Sequence, residues 1–284
     1  KVAEKHYYEE VVGALAETVT VSGASPLVDT TSTATSTELT REQLEVLPTS
    51  RDGFHAFMNQ APGVRTNLDV GSSGLGDTLS FRVFGETGGS WQMLEGVMSA
   101  AANPLGANGS HVDFNALEGA RVETMGSNAE MPRSGVLVDA VMKSGGNDFH
   151  GTAVVYGSGP GLEGSNIDDT LQAAGIVRAK LDKVTDFSGT IGGRIIRNKL
   201  WFFGGARDQR SSREILDAFD PDGTPIVGVR KGPYYFGKLS YQMTAGNRFT
   251  AFTHVANDKE LRGAGKFVPR ESMEDKDNPV WITK

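Results

Sequence analysis

No cysteine occurs in the 284 residues, which removes disulfide scaffolds, cysteine-ligated zinc and thiol nucleophiles. No run of about 18 apolar residues occurs either, so the sequence builds no transmembrane helix. Residues 1–16 lack the apolar core of a signal peptide, so an exported protein of this sequence has shed its leader or carries it elsewhere. The five histidines, at 6, 55, 111, 150 and 254, show no metal-ligand spacing. Gly263-Ala264-Gly265-Lys266 lacks the earlier glycine and the following Ser/Thr of a phosphate loop. No catalytic residue, metal or cofactor is expected. The acidic stretch Glu271 to Asp277 reads as a solvated loop, and Asp220-Pro221-Asp222-Gly223 as a turn.

Glycine is abundant, 36 residues, about twice its usual share of roughly 7%. Charge is unevenly placed. Residues 1–149 hold 9 Lys+Arg against 19 Asp+Glu, a net of −10, and residues 150–284 hold 19 against 16, a net of +3. Of the 23 aromatic residues, 14 follow residue 149. An acidic half without a basic stripe argues against nucleic acid as a partner.

Residues 1–16 read as a linker or the tail of a preceding domain. Glu17-Thr18-Val19-Thr20-Val21 is a short β-prone run, and Ser22 to Thr37 is Ser/Thr-rich with little to bury. Thr40 and Gln43 make a capping box for a helix that buries Leu44 and Leu47, and Pro48 ends it. A second short helix is expected from Asp52 to Gln60, packing Phe54, Phe57 and Met58. From Asn67 to Gly151, β-like segments (Leu79–Phe84, Gln92–Val97, Ala120–Thr124 and Val136–Lys143) alternate with glycine-rich loops, the pattern of a small mixed α/β unit.

Beyond His150 the pattern becomes period two. Phe187, Gly189, Ile191, Gly193 and Ile195 alternate with Asp186, Ser188, Thr190, Gly192 and Arg194. Tyr235, Gly237, Leu239, Tyr241 and Met243 alternate with Lys238, Ser240 and Gln242. Such strands carry one apolar and one polar face, with odd positions expected toward lipid and even ones toward a lumen. Strands are expected at 150–157, 185–196, 199–208, 233–243 and 248–257, with another beginning at 280–284. Tight turns at Arg197-Asn198 and Thr244–Asn247 alternate with long loops, the habit of outer-membrane barrels, although a soluble antiparallel sandwich shows the same facial alternation.

Leu44-Glu45-Val46-Leu47-Pro48, Phe81-Arg82-Val83-Phe84-Gly85, Met93-Leu94-Glu95-Gly96-Val97, Lys143-Ser144-Gly145-Gly146-Asn147 and Gly192-Gly193-Arg194-Ile195-Ile196 stand in this order along the chain. Together they resemble the motifs of TonB-dependent outer-membrane transporters, in particular the large receptors with a carboxypeptidase-regulatory-like domain ahead of the plug. Leu44-Glu45-Val46-Leu47-Pro48 through Ala61-Pro62-Gly63-Val64 is similar to the first plug helices. Phe81-Arg82-Val83-Phe84-Gly85 and Met93-Leu94-Glu95-Gly96-Val97 resemble the plug hairpin, with Glu95 in place of the usual aspartate. Val122-Glu123-Thr124, Arg133-Ser134-Gly135, Lys143-Ser144-Gly145-Gly146-Asn147 and Phe149-His150-Gly151 match most closely, with Met131-Pro132 where relatives carry Tyr-Gly. Gly192-Gly193-Arg194-Ile195-Ile196 with Lys199-Leu200-Trp201-Phe202-Phe203 resembles the first complete barrel hairpin.

The resemblance implies a linker over 1–37, an α+β plug domain over 38–149, and the antiparallel β strands of an incomplete transmembrane β-barrel over 150–284. About six strands cannot close, and an open edge in hydrocarbon leaves backbone groups unpaired, so a fragment of a larger barrel is expected. It further implies that Glu17, Thr18, Val19, Thr20 and Val21 form a TonB box, which pairs with TonB as an added strand. Arg82, Glu95, Glu123, Glu130 and Arg133 would supply plug–barrel ion pairs, against the plainer reading of solvated surface charge worth about 0–1 kcal/mol per pair. Asn103, Asn108 and His111 would lie on ligand-facing plug loops, where Asn is also ordinary turn chemistry. The implied partners are TonB, a small or oligomeric solute and outer-membrane lipid. The implied function is energised uptake across the cell outer membrane, the alternative being an outer-membrane binding or adhesion module that does not transport.

Overall fold

A computed structural model describes residues 35–46, 57–66, 81–84, 86–87, 89–102, 112–125, 135–178, 180–262, 265 and 267–284. All lie in one compact unit, Ala34–Lys284. The first strand, β1 (Thr35–Thr40), begins inside the stretch read as a linker. It leads into α1 (Arg41–Val46), which buries Leu44. The capping box is reciprocal: the Thr40 amide donates to Gln43 Oε1 at 2.9 Å and the Gln43 amide to Thr40 Oγ1 at 3.4 Å. Of the second expected helix, residues 52–56 lie outside the described residues. Phe57 and Met58 are helical and fully buried, and Phe57 stacks on Phe114 at 4.5 Å.

Three short strands, β2 (Val64–Thr66), β3 (Phe81–Val83) and β4 (Glu86–Thr87), make a small antiparallel ribbon. A second sheet of five strands adds β5 (Gly89–Leu94), β6 (Val97–Ala102), β7 (Leu117–Met125) and β8 (Gly135–Met142) in the order β1-β7-β8-β5-β6. Its pairs are antiparallel except β5 with β8, which is parallel. The segment Gln92–Val97 is therefore not one strand. Glu95 (φ 54°) and Gly96 (φ 70°) form the two-residue turn of the β5–β6 hairpin, the left-handed pair that suits strand twist.

The third sheet is antiparallel throughout: β9 (His150–Ser158), β10 (Leu181–Ile196), β11 (Leu200–Phe219), β12 (Pro225–Thr244), β13 (Asn247–Arg262) and β14 (Glu274–Thr283), each paired with the next. A short helix, α2 (Asp169–Ala173), lies in the β9–β10 connection, with Asp168 Oδ1 accepting from the Leu171 amide at 2.9 Å. The tight turns at 197–199 and 245–246 stand at one end.

Two expectations are corrected at the opposite end. The long loop expected between 208 and 233 is instead the outer half of a hairpin in which both strands run 20 residues and turn only at Asp220–Thr224. These outer halves mix polar and apolar residues on both faces, which erases the period-two signal, while the ladder runs on to the Glu214–Val227 pair and resumes at Phe219–Pro225. The acidic stretch expected as a loop contributes Glu274–Asp277 to β14, which thus starts ahead of residue 280.

Facing is set by cross-strand register. On β12 the even residues Lys238 and Ser240 are buried, and the odd residues Tyr235, Leu239 and Met243 are exposed. Asp186 and Ser188 on β10 are likewise buried, with Phe187 and Ile191 outside. The parity reverses on β11. Ser188 sits opposite Arg207 and Asp186 opposite Gln209, so Phe203, Arg207 and Gln209 point inward from odd positions. Opposed residues share a face, so the inter-strand register, not residue number, decides which side faces in.

Candidate functional site

The inward face of the six-strand sheet packs on the five-strand sheet through a continuous core. Phe203, Phe236, Phe252 and Ile282 from the large sheet join Leu94, Leu117 and Met142 from the small one and Val112 and Phe114 from the segment leading into β7. Phe203 and Phe236 lie 5.9 Å apart, tilted. Polar ties cross this apolar layer at three places.

The first is the β5–β6 turn. Lys238 Nζ donates to Glu95 Oε1 at 2.7 Å and to the Met142 carbonyl at 3.0 Å. The same Glu95 oxygen accepts the Met142 amide at 2.7 Å, so one carboxylate holds β8 and β12 together. Lys284 adds a 3.0 Å bond to the Glu95 carbonyl. The glutamate that replaces the expected aspartate thus carries an inter-sheet contact. Beside it, burial raises the pKa of Asp139 and Glu95 raises it further, while a hydrogen bond from the Gly96 amide opposes them.

The second tie runs through residues 112–116. Asp113 caps a single 3₁₀ turn, with Oδ1 accepting the Asn115 amide at 3.0 Å. Its other oxygen accepts a short bond from Ser188 Oγ, which in turn accepts from Asn115 Nδ2 at 3.0 Å. Next to Ser188, Asp186 receives a two-pronged bond from Arg207 at 2.8 and 2.6 Å, with both residues buried. This pair joins β10 to β11.

The third tie is the passage between the sheets. Asn147 Oδ1 accepts from the Asn198 amide and from Trp201 Nε1, each at 2.9 Å, and its carbonyl accepts from Arg194 at 2.6 Å. Gly145 is pressed against backbone: a Cβ there would lie 2.1 Å from the Phe202 carbonyl oxygen and 2.8 Å from that of Gly193. Lys143, at the start of this passage, is 3.9 Å from Glu45. Burial lowers its pKa and Arg41 lowers it further, while Glu45 pulls the other way.

The sequence-derived candidates fall unevenly onto this geometry. Glu95 reaches the large sheet. Glu123 instead pairs with Arg121 of its own strand at 3.0 Å, and Arg82 is exposed on β3 opposite Arg65. Glu17, Thr18, Val19, Thr20, Val21, Glu130, Arg133, Asn103, Asn108 and His111 lie outside the described residues. Asp113, Ser188, Arg207 and Asn147 were not singled out as contacts. Their signal was weak but present: buried-parity polar residues on β10 and β11, and an asparagine inside the Lys143–Asn147 motif.

An outer membrane beta barrel domain family matches residues 141–226. The chain is 30% identical over 202 residues to the TonB-dependent transporter Oar of Myxococcus xanthus, a match over 68% of this chain and 18% of the relative. In fold it resembles the outer membrane transporter YddB from Escherichia coli, with a TM-score of 0.63 and 14% identity over 88% of this chain and 36% of that one. It also resembles the siderophore receptor PirA from Acinetobacter baumannii, with a TM-score of 0.53 and 16% identity over 80% of this chain and 32% of that one. The chain therefore spans well under half the length of the relatives it matches.

Proposed function

From a chain of the TonB-dependent outer-membrane receptor family, resident in the cell outer membrane, we propose the following division of labour. Residues 38–149, with β1 leading in from Thr35, are the plug. Residues 150–284 are the first strands of the barrel around it, and the whole protein uses this plug to gate energised uptake of a scarce or large solute. The observation that carries the reading is the manner of contact. The small sheet is held to the inward face of the large one by an apolar layer and by side-chain ties, Glu95 to Lys238 and Asp113 to Ser188, that part without breaking any strand pairing. That is the requirement for a stopper that moves inside a wall that stays intact.

In this mechanism solute binds at the plug apices, around Asn103, Asn108 and His111, and at the outer loops. The segment Glu17-Thr18-Val19-Thr20-Val21 is then released on the periplasmic side, where TonB takes it as an added strand and pulls. Affinity in strand addition comes mainly from backbone N–H and C=O groups. The test is Val19→Pro against Val19→Ala in the full-length protein in cells. Proline removes one donor and fixes φ, so Val19→Pro is expected to keep surface binding of solute and lose uptake and cross-linking to TonB, with Val19→Ala only partly impaired. Undiminished uptake in Val19→Pro would remove this segment as the coupling point and favour a binding or adhesion role.

A further inference from the structure

On the outward face of the large sheet, beyond its apolar band, three cations stand in one cross-strand row. Arg210 on β11 is opposite Lys231 on β12, and Lys231 is opposite Lys259 on β13. Adjacent strands lie about 4.8 Å apart, and like charges directly opposite one another are destabilising. The two outer members have carboxylates of their own. Asp208 binds Arg210 at 2.5 Å, and Asp277, next in the row on β14, binds Lys259 at 2.6 Å. Lys231, in the middle and exposed, has a cation on each side and no acidic partner among the described residues.

The row borders a groove of about 490 Å³ whose apolar floor is Val227, Val229, Leu261 and Met273. Of the other charges at the groove, Arg270 is engaged by Asp220 at 3.0 Å, and Asp275 lies one row farther out, opposite Leu261. The height of the row matters. On β12 the exposed residues Met243, Tyr241, Leu239 and Tyr235 form the apolar band. The row of Tyr235 continues through Val255 to Trp281, which is 74% exposed. Lys231 lies four residues beyond Tyr235, about 13 Å along the strand, and at the end away from the tight turns. In outer-membrane barrels short turns are periplasmic and aromatic girdles mark the interfaces. The cation row therefore stands at headgroup level in the outer leaflet.

We infer that Lys231, flanked by Arg210 and Lys259, is a docking site for a phosphate of an outer-leaflet phosphorylated glycolipid, whose acyl chains run back toward the Tyr235–Trp281 row while a face of its sugar covers the Val227–Leu261 floor farther out. The anion supplies the countercharge that the row lacks, and the groove supplies contact that a free phosphate cannot use. The inference rests on the outer-membrane orientation above but not on transport.

The test uses full-length protein extracted from outer membranes, freed of lipid by exchange into nonionic detergent, and titrated with a diphosphorylated lipid A. The same lipid with its phosphates removed and inorganic phosphate serve as the other probes. Binding is read by native mass spectrometry. Each basic residue near an anionic surface contributes enough for about five-fold in affinity, so Lys231→Glu is expected to lose at least that, with Lys231→Arg close to wild type. Lys199→Glu, at the tight-turn end, is expected to bind as wild type does. Equal binding by Lys231→Glu and wild type would overturn the site, as would equal binding of the dephosphorylated lipid. Competition by inorganic phosphate at concentrations matching the lipid would overturn the lipid as occupant in favour of a free anion. Loss of lipid with solute uptake retained in Lys231→Glu supports the site independently of the transport reading. Wild-type protein absent from the outer-membrane fraction would remove the orientation on which the site depends.

Discussion

Lys238 and Glu95 are 143 residues apart in the chain and meet as an ion pair at 2.7 Å, the lysine side chain 6% and the glutamate side chain 14% exposed. Glu95 occupies a left-handed turn position that a non-glycine residue adopts at some cost, and its side chain is fixed there by Lys238 and the Met142 amide. The pair thus links the tip of one hairpin to the middle of a strand in the other sheet.

Removing one partner of a buried pair typically costs 3–5 kcal/mol because a charge is left without compensation. Lys238→Met is expected near the lower end, about 3 kcal/mol, since Met142 still donates to Glu95. Adding Glu95→Gln to Lys238→Met is expected to recover much of the loss. Denaturant unfolding of the full-length protein, followed by fluorescence of Trp91 on β5, measures both. A Lys238→Met midpoint equal to that of wild type would mean that the pair adds nothing.

The ties around Ser188 separate two kinds of attachment. Ser188→Ala leaves a buried Asp113 oxygen without its hydroxyl donor, a penalty of about 1–3 kcal/mol that falls on residues 112–116. It is expected to speed hydrogen exchange at the Asn115 amide while barrel assembly stays normal. Arg207→Met strands Asp186 between β10 and β11 and is expected to impair assembly itself, read as loss of heat-modifiable mobility on gels. Identical phenotypes for the two variants would contradict this division.

Facing is testable one strand at a time. Leu239→Arg places a charge on the lipid side and is expected to cost about 2–4 kcal/mol near the bilayer midplane, lowering the amount inserted. Thr250→Arg on β13, inward-facing opposite Ser240 yet exposed, is expected to insert normally. Comparable insertion of the two would reverse the assignment of faces.

Asp139 holds its proton more tightly in the folded protein than in the unfolded chain, because burial and Glu95 both penalise its ionised form. That contribution to stability is present below the ordinary carboxylate range and is lost as pH rises through the raised value. Asp139→Asn removes the loss. The variant is expected to melt higher than wild type at pH 7–8, with the difference closing below about pH 4. A difference that does not vary with pH would assign the effect to packing instead.

The strands of the large sheet were legible because one face of each meets an apolar medium and the other a polar interior, which writes period two into the sequence. Where polar and apolar residues are mixed on both faces, as along Arg210–Phe219 and Pro225–Gly232, nothing in the pattern distinguishes a strand from a loop, and the hairpin was read as ending early. Within Gln92–Val97 the apolar residues on either side of Glu95-Gly96 hid a two-residue turn. Lys238 was legible as an inward residue, but not as the partner of Glu95, since periodicity reports which face a residue takes and not what lies across from it. Likewise Arg207 was masked by assigning parity from residue number, when the turn at 197–199 shifts the register by one.

The crowding at Gly145 and the bonds of Asn147 fix where a chimera between relatives can be cut. A junction placed ahead of Ser144 keeps Gly145 with the Phe202 and Gly193 carbonyls, against which no side chain beyond hydrogen fits. It also keeps Asn147 with Arg194, Asn198 and Trp201. The exchangeable module therefore ends ahead of Ser144, and the residues that look like a connector travel with the wall that was built around them.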